Sequence, residues 1–295
     1  METILFNIDS AFRNKSTFPK SSFFINRLEQ MLRNIKSIKL SSIELPNSFY
    51  NLTSLRNNIS FTIILLEGTP GDTQIITIPD GKYTSSLLIT KIQEIFDTIN
   101  ISTDGEATQA KRYNFTISLN NYNQKITISN PIGTRIISGV STAVGGANFT
   151  LTFPINSGFN ILGLGSILGY TTSSYTGTDI YTSEKVLNMY IDPYIFIRIN
   201  DYGNMYNKTK DRRLLAKIIL DGSNNSFIYD NKNFVYKTYE FVQPVDIERL
   251  EIELLDRMGN RLDLNDCDYS MTLELEIIEN KYIYDHSEKG YLIKP

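Results

Sequence analysis

The sequence predicts a mainly β protein: a single antiparallel sandwich built from both ends of the chain, with a small α+β unit inserted between them. Two observations predict the sandwich. "RLEIELLD" (249–256) and "YSMTLELEI" (269–277) alternate apolar and charged residues with the two-residue period of a strand that buries one face. Strand-like runs of the same kind crowd the first 66 residues. One observation predicts the insertion: from the turn-rich "EGTPGD" (67–72) onward the pattern changes to strand, turn and helix. The expected boundaries are 1–66 with 186–295 for the sandwich and 67–185 for the inserted unit.

The first half-dozen residues read as a short strand ending in the polar "DSAFRN". "SSFFINR" (21–27) and "NIKSIKLSSIEL" (34–45) follow as strands. In the second, Ile38 and Leu40 share a face, as do Ile43 and Leu45, and the phase slips at Ser41-Ser42. That slip predicts a β-bulge or a change of sheet. "ISFTIILL" (59–66) is wholly apolar and β-branched, the pattern of a strand buried on both faces.

Within the insertion, Leu88, Ile92, Ile95, Phe96 and Ile99 form one helical stripe, with N-cap oxygens available from Thr84 to Ser86. "YNFTISL" and "KITIS" make a hairpin around "NNYNQ", and "NFTLTF" (148–153) is a further strand. "INSGFNILGLGSILGY" is broken by four glycines and fits a short helix with turns. "TTSSYTGTDIYTS" reads as a closing loop. After it, "YIFIRIN" (194–200), "LLAKIIL" (214–220), "KTYEFV" (237–242) and the two alternating runs return to strand. An apolar row such as Met271, Leu273, Leu275 and Ile277 gains roughly 1.5–3 kcal/mol per buried side chain, so both ends must share a core.

Composition narrows the function classes. A formal net charge of -3, with 21% charged residues, argues against general nucleic-acid binding, which needs clustered Lys and Arg. The local basic group Lys208, Lys210, Arg212 and Arg213 sits beside Asp201 and Asp211 and reads as a solvated loop. The single cysteine, Cys267, forbids an internal disulfide and fits a reducing compartment. No apolar run reaches the roughly 18 residues of a membrane span, and "METILFNIDS" does not read as a signal peptide. The expectation is a soluble protein made in the cytoplasm, not an integral membrane protein. Sequons at Asn51, Asn58, Asn114 and Asn148 fit chance in a chain this rich in Asn, Ser and Thr. With 18 Tyr and 16 Phe the aromatic content suits interfaces.

Candidate chemistry concentrates in "LDRMGNRLDLNDCDYSMTLELEI" (255–277), which groups Asp256, Asp263, Asp266 and Asp268 around Cys267. Asp263, Asp266 and Asp268 offer oxygens that suit Ca²⁺, but the spacing lacks the central glycine and terminal glutamate of an EF-hand. The better reading is a turn of Asp256, Met258-Gly259-Asn260 and Arg261 after one strand and an Asx-rich turn at "NDCD" (265–268) before the next, with Asp and Asn capping their own backbone. Cys267 with the tail residue His286 is a weak nucleophile pair, because neighbouring carboxylates raise a thiol pKa. Glu251, Glu253, Glu274 and Glu276 alternate with apolar residues and are expected on a solvated or partner-facing sheet surface. "GLGSILG" (163–169) and Gly81-Lys82-Tyr83-Thr84 match no phosphate-loop pattern. No catalytic, cofactor-binding or metal residue is assigned, and the protein is expected not to be an enzyme.

Ordered motifs along the chain carry a resemblance. "FNIDSAFRN", "SSFFINRL" and "IKSIKLSSIELPNSFYNL" give a D-S-x-x-R start leading to S-x-x-L-P-x-S-x-Y. "IPDGKYTSSLLITKIQEIF", then "ILGY", then "AKIILD" and the stretch from "YEFVQPVDIERLEIELLD" to "LELEI" follow in order. This series resembles the minor capsid proteins of large icosahedral nucleocytoplasmic DNA viruses, the giant viruses. The resemblance implies a jelly-roll sandwich in the viral shell, without catalytic residues. Some members are penton proteins that close the five-fold vertices; others cement capsomers of the major capsid protein from inside. One roll with one insertion suits the penton role, because a vertex needs one roll per subunit. The implied partners are copies of the chain in a homopentamer, the major capsid protein and other minor capsid proteins. Two rivals remain on the same fold: a carbohydrate-binding module of a viral spike, and a glycoside hydrolase with paired inward carboxylates.

Overall fold

The computed structural model describes residues 1–65, 73–102, 113–137, 140–155, 163–190, 192–207, 210–220, 227–230 and 237–279. Its strands in chain order are β1 (Glu2–Asp9), β2 (Phe23–Pro46), β3 (Ser60–Leu65), β4 (Thr73–Thr77), β5 (Thr116–Leu119), β6 (Ile126–Ser129), β7 (Gly133–Ile137), β8 (Val140–Val144) and β9 (Phe149–Thr152). They continue with β10 (Ser174–Thr178), β11 (Ile180–Thr182), β12 (Tyr194–Ile199), β13 (Met205–Asn207), β14 (Arg212–Leu214), β15 (Ala216–Ile219), β16 (Phe227–Asp230), β17 (Thr238–Leu255) and β18 (Ser270–Ile277). The helices are α1 (Ser85–Ser102) and α2 (Leu164–Leu168). The architecture is mainly β and antiparallel, of jelly-roll type, drawn from both ends of the chain with an α+β unit between. Two compact units result: Met1–Phe49 with Asp192–Pro295, and Tyr50–Ile191.

In the first unit one seven-stranded sheet runs in the order β1-β18-β2-β17-β12-β15, with β16 also on β2. The two expected layers are therefore parts of a single sheet. The segments 21–27 and 34–45 merge into the 24-residue β2, and 237–242 with 249–256 merge into β17. A straight strand of 24 residues would run about 80 Å. Here both ends of β2 reach the same place: Glu44 pairs with Ser270, while the Phe24 ring lies 6.3 Å from that of Tyr269. The strand has folded back on itself, with Asn34 at φ 55 near the bend and register shifts in the facing stretch of β17.

The phase slip in β2 is a bulge. Ser42 faces Thr272 and Leu40 faces Leu273, which leaves Ser41 as the extra residue. That one residue keeps Ile38, Leu40, Ile43 and Leu45 all on the buried side. They share a core with Ile195, Ile197 and Ile199 of β12, Leu250, Ile252 and Leu254 of β17, and Met271, Leu273 and Leu275 of β18.

The second unit begins earlier than the composition shift implied. β3 pairs with β4 and with β9, so the run 59–66 lies in this unit and not in the sandwich of the chain ends. An apolar β-branched run has the same composition in either sheet; the break is the Pro46–Asn58 stretch before it. β3 is also buried on one face only, because Phe61, Ile63 and Leu65 are covered while Ile64 is exposed.

A four-stranded sheet β10-β9-β3-β4, a three-stranded sheet β11-β6-β5 and the hairpin β7-β8 complete the unit. Leu88, Ile92 and Phe96 of α1 are fully buried, and Thr84 Oγ1 accepts the Leu87 N–H at 3.3 Å. The expected loop 171–183 instead supplies β10 and β11, since its two tyrosines turn to the core. Tyr181 donates to the Phe149 carbonyl at 2.7 Å, and Tyr170 to the Tyr181 carbonyl at 3.0 Å. Gly169, before Tyr170, has φ +91, and a Cβ there would meet the Lys185 carbonyl oxygen at 2.2 Å. Only glycine fits that position.

Phe149 is fully buried, edge-on to the Phe115 ring at 5.3 Å and to Tyr181 at 4.9 Å. Phe149→Ala is expected to cost about 3–5 kcal/mol. Tyr122→Ala, at a fully exposed hairpin position, should stay within about 0.5 kcal/mol of the parent. Denaturant unfolding followed by tyrosine fluorescence checks both.

Candidate functional site

The aspartate-rich connection between β17 and β18 is where three distant segments of the chain meet. It starts with a turn of its own making. The Asp256 carboxylate accepts the N–H groups of Met258 and Asn260, each at 2.9 Å, and Gly259 takes φ +78. Asp263 accepts the Asn265 N–H at 3.0 Å. Asn265 and Asp266 hold φ 50 and 62, a region that Asn and Asp tolerate better than other side chains. Asp256 caps its own turn as expected, but the carboxylate capping the second turn is Asp263 and not one of the residues 265–268 expected to do so.

Asp268 and Asp266 act over long range instead. Asp268 receives the Arg13 guanidinium, the Ser10 hydroxyl at 3.1 Å and the Lys15 ammonium at 3.4 Å. Ser10 Oγ in turn accepts the Tyr269 N–H at 2.8 Å. The Arg13 side chain is only 3% exposed, so every donor it buries needs an acceptor. It finds the carbonyls of Ser10 at 2.7 Å, Phe18 at 3.0 Å and Pro19 at 2.9 Å besides the carboxylate. Asp9 caps the turn that presents Ser10 by accepting the Ala11 N–H at 2.8 Å. Lys20 reaches Asp266 at 3.2 Å and Asp263 at 3.4 Å, and Ser21 donates to the Cys267 carbonyl at 2.6 Å.

The third segment comes from the end of β2. Ser48 donates to the Leu264 carbonyl at 2.7 Å, and Asn265 Nδ2 donates to the Ser48 carbonyl at 2.6 Å. Ser270 donates to Glu44 at 2.7 Å. Asp9, Ser10, Arg13 and Ser48, which stand in the two opening motifs, thus all serve this junction.

A second polar cluster was not foreseen. Glu253, expected on the outer face of β17, is 1% exposed. Arg198 and Arg212 donate to Oε2 at 2.9 and 3.0 Å, and Arg261 donates to Oε1 at 2.8 Å. Arg198 also holds Glu251 at 2.8 Å and Asp201 at 3.0 Å, so the six charges balance. Burial pushes the Glu253 carboxyl up, but hydrogen bonds from Arg261 and Arg198 outweigh it and leave the pKa lowered. Arg212 is therefore not part of a solvated basic loop: it leans into the sheet, and Arg213 lies over the Tyr206 ring. Lys208 lies outside the described residues. The one available signal was register, since Arg198 stands directly opposite Glu253 on neighbouring strands.

The remaining sequence candidates find structural surroundings. Cys267 is half-buried, and its N–H bonds the Leu264 carbonyl at 3.1 Å. His286 lies outside the described residues. The three aspartates weighed for Ca²⁺ face Lys20 and Arg13, and among the described residues no group of three or more His, Cys, Asp or Glu is placed to hold a metal ion. Among those residues, too, no helix is long and apolar enough to cross a membrane.

A curled antiparallel sheet whose longest strand has both ends fastened at one acidic loop is thus the class of protein that the fold and site define. The chain belongs to a family described as a family of unknown function, DUF5901, whose model matches residues 1–199. No curated protein matches it. Among solved structures it is similar to the mavirus penton protein, at 12% identity over 94% of this chain and 100% of that one, with a TM-score of 0.47. It is also similar to a chain of the Sputnik virophage cryo-EM structure, at 12% identity over 93% of this chain and 98% of that one, with a TM-score of 0.43.

Burial pushes the Asp268 carboxyl up, and hydrogen bonds from Arg13 and Ser10 more than reverse this, so its folded pKa lies below the ordinary value. The stabilisation is complete above the unfolded pKa of about 3.9 and disappears as pH falls through the lower folded value. Asp268→Asn is expected to cost about 3 kcal/mol at neutral pH, because the Arg13 charge stays buried without its counter-ion. It should also flatten the loss of stability below about pH 4. Urea unfolding of both chains across that range is the check.

Proposed function

We propose that this protein is a structural, non-enzymatic component of an icosahedral viral shell: a minor capsid protein of penton type that closes the five-fold vertices as a homopentamer. The observation that carries the reading is the role of the motif residues. Asp9, Ser10, Arg13 and Ser48 belong to the motifs that resemble minor capsid proteins of large nucleocytoplasmic DNA viruses. Ser10, Arg13 and Ser48 fasten the sheet at loop 256–269, and Asp9 caps the turn that presents Ser10 to it. Residues that build a scaffold support a function residing in extended surfaces.

One curled sheet per chain also supports the vertex position, where five identical subunits must each present one body. Ring contacts of that kind are heterologous and must close by rotation. The partners in this reading are neighbouring copies, capsomers of the major capsid protein and other minor capsid proteins. The protein would be made and assembled in the host cytoplasm and end in the virion.

Density from cryo-EM of the intact particle tests this. The expected result is five copies of this fold around each five-fold axis, matched by a pentamer in native mass spectrometry of the purified chain. Copies found only beneath the capsomers would replace the penton role with a cement role. Absence from the shell would overturn the proposal.

A further inference from the structure

Arg27 and Arg249 stand directly opposite each other where β2 pairs with β17. In an antiparallel ladder opposed residues share a face, with Cβ atoms about 4.5–5.5 Å apart, and like charges so placed destabilise the sheet. The pairing cannot slip to relieve this. Beside it Asn26 faces Leu250, Ile25 faces Glu251 and Phe24 faces Ile252, and Phe24, Leu250 and Ile252 are all buried. Moving β2 by one residue would turn Phe24 out of the core. On the other side of the pair the register shifts at once, so the two arginines close the regular part of this ladder.

Both side chains are exposed, and among the described residues neither has an ion pair. Other arginines of the same unit are treated differently: Arg13, Arg198, Arg212 and Arg261 each hold a carboxylate. The acidic groups near the pair are otherwise placed. Glu251, next on the face of Arg249, is held by Arg198, as is Asp201. Glu29 and Glu248 stand exposed beside the pair in the sequence, and among the described residues neither forms an ion pair with it. Natural sequences break a local rule of this kind chiefly at positions that serve something beyond the fold.

We propose that Arg27 and Arg249 form a docking clamp for one carboxylate, an Asp or Glu side chain of an adjoining protein chain in the shell; the inference rests on the shell reading above. Two guanidiniums on one face can both donate to the oxygens of a single carboxylate, which turns their repulsion into charge-assisted hydrogen bonds. Charge and size select this occupant. A polyanion such as nucleic acid would extend over Glu29 and Glu248 as well and meet repulsion from both. A single acidic side chain touches only the arginines. Ile25, half-buried on the same face, adds an apolar neighbour, and arginine is enriched in protein interfaces.

Two measurements test it. The isolated Arg27→Glu chain should unfold at a higher urea concentration than the parent, since the new carboxylate faces Arg249. In particles grown with that variant in place of the parent, its incorporation should fall about tenfold or more, because the partner carboxylate then meets a like charge. A role of Arg27 in the fold alone cannot give these opposite signs. Parent-level incorporation, or a lowered urea midpoint, would overturn the inference. Cryo-EM density of the parent particle needs no variant: a carboxylate of a neighbouring chain within hydrogen-bond distance of both guanidiniums is expected. An arginine pair facing solvent or nucleic acid, in particles that contain the chain, sinks the clamp and leaves the shell reading standing. Absence of the chain from the shell removes both.

Discussion

Burying a guanidinium costs free energy for every donor left without an acceptor, and the Arg13 side chain is buried. That constraint organises the first unit. The side chain faces a carboxylate from the far end of the sequence and three carbonyls from its own neighbourhood. To satisfy it, segment 10–19 must wrap the guanidinium while the loop before β18 comes to meet it. Once Asp268 is held, the neighbouring residues have little freedom. Tyr269 exchanges backbone and side-chain bonds with Ser10, and Cys267 accepts from Ser21 just before β2 starts. Ser48, just after β2 ends, bonds the same loop. The curl of β2 follows, since a strand with both ends tied to one loop cannot lie straight.

The cluster at Glu253 repeats this logic with the signs exchanged. Here a carboxylate is buried, and three arginines from β12, from β14 and from the turn after β17 converge on it. Such a group is weak as a source of net stability, because taking Glu253 and Arg198 out of water offsets much of the attraction. Its value is in register. A one-residue slip of β12 against β17 would part Arg198 from Glu253 and leave a carboxylate stranded in the sheet. Arg261 adds a packing role, with its guanidinium 3.7 Å from the centre of the Phe23 ring. The two clusters therefore fix opposite ends of the turn-and-loop stretch 256–269.

Much of this was legible in the residues and some was not, for identifiable reasons. Alternation located β17 and β18, the phase slip at Ser41-Ser42 located a bulge, and the stripe from Leu88 to Ile99 located α1, because each is a local pattern with its own period. The turn at Asp256 was legible for the same reason, since its hydrogen bonds span two to four residues; the second turn was expected at 265–268, whereas the carboxylate that caps the backbone there is Asp263. Partnerships between residues far apart in the chain were not legible: Arg13 and Asp268 stand 255 residues apart, Arg212 and Glu253 41. Nothing near Asp268 announces Arg13, and nothing near Glu253 announces Arg212. Alternation even misled there, since it sorts residues by face but does not say whether the outer face is covered. The run 59–66 was misassigned because composition says that a strand is buried and not which sheet receives it. "TTSSYTGTDIYTS" looked like a loop because its polar residues outnumber Tyr175 and Tyr181, yet those two rings decide where it lies.

The two ends of the sheet differ in a way that bears on assembly. A protein with a long open edge risks pairing with any exposed strand it meets, and natural sheets blunt their edges to avoid this. β15 is blunted by brevity: four residues, with Lys217 drawn over the Tyr194 ring at 3.9 Å. β1 is eight residues long, with Leu5 exposed on its outer face and a groove along its free side. Edge protection has thus been built at one end of the sheet and not, within the described residues, at the other. An unprotected edge of that length, with Leu5 and Phe12 exposed beside it, would compete with any contact made by the side chains of the sheet.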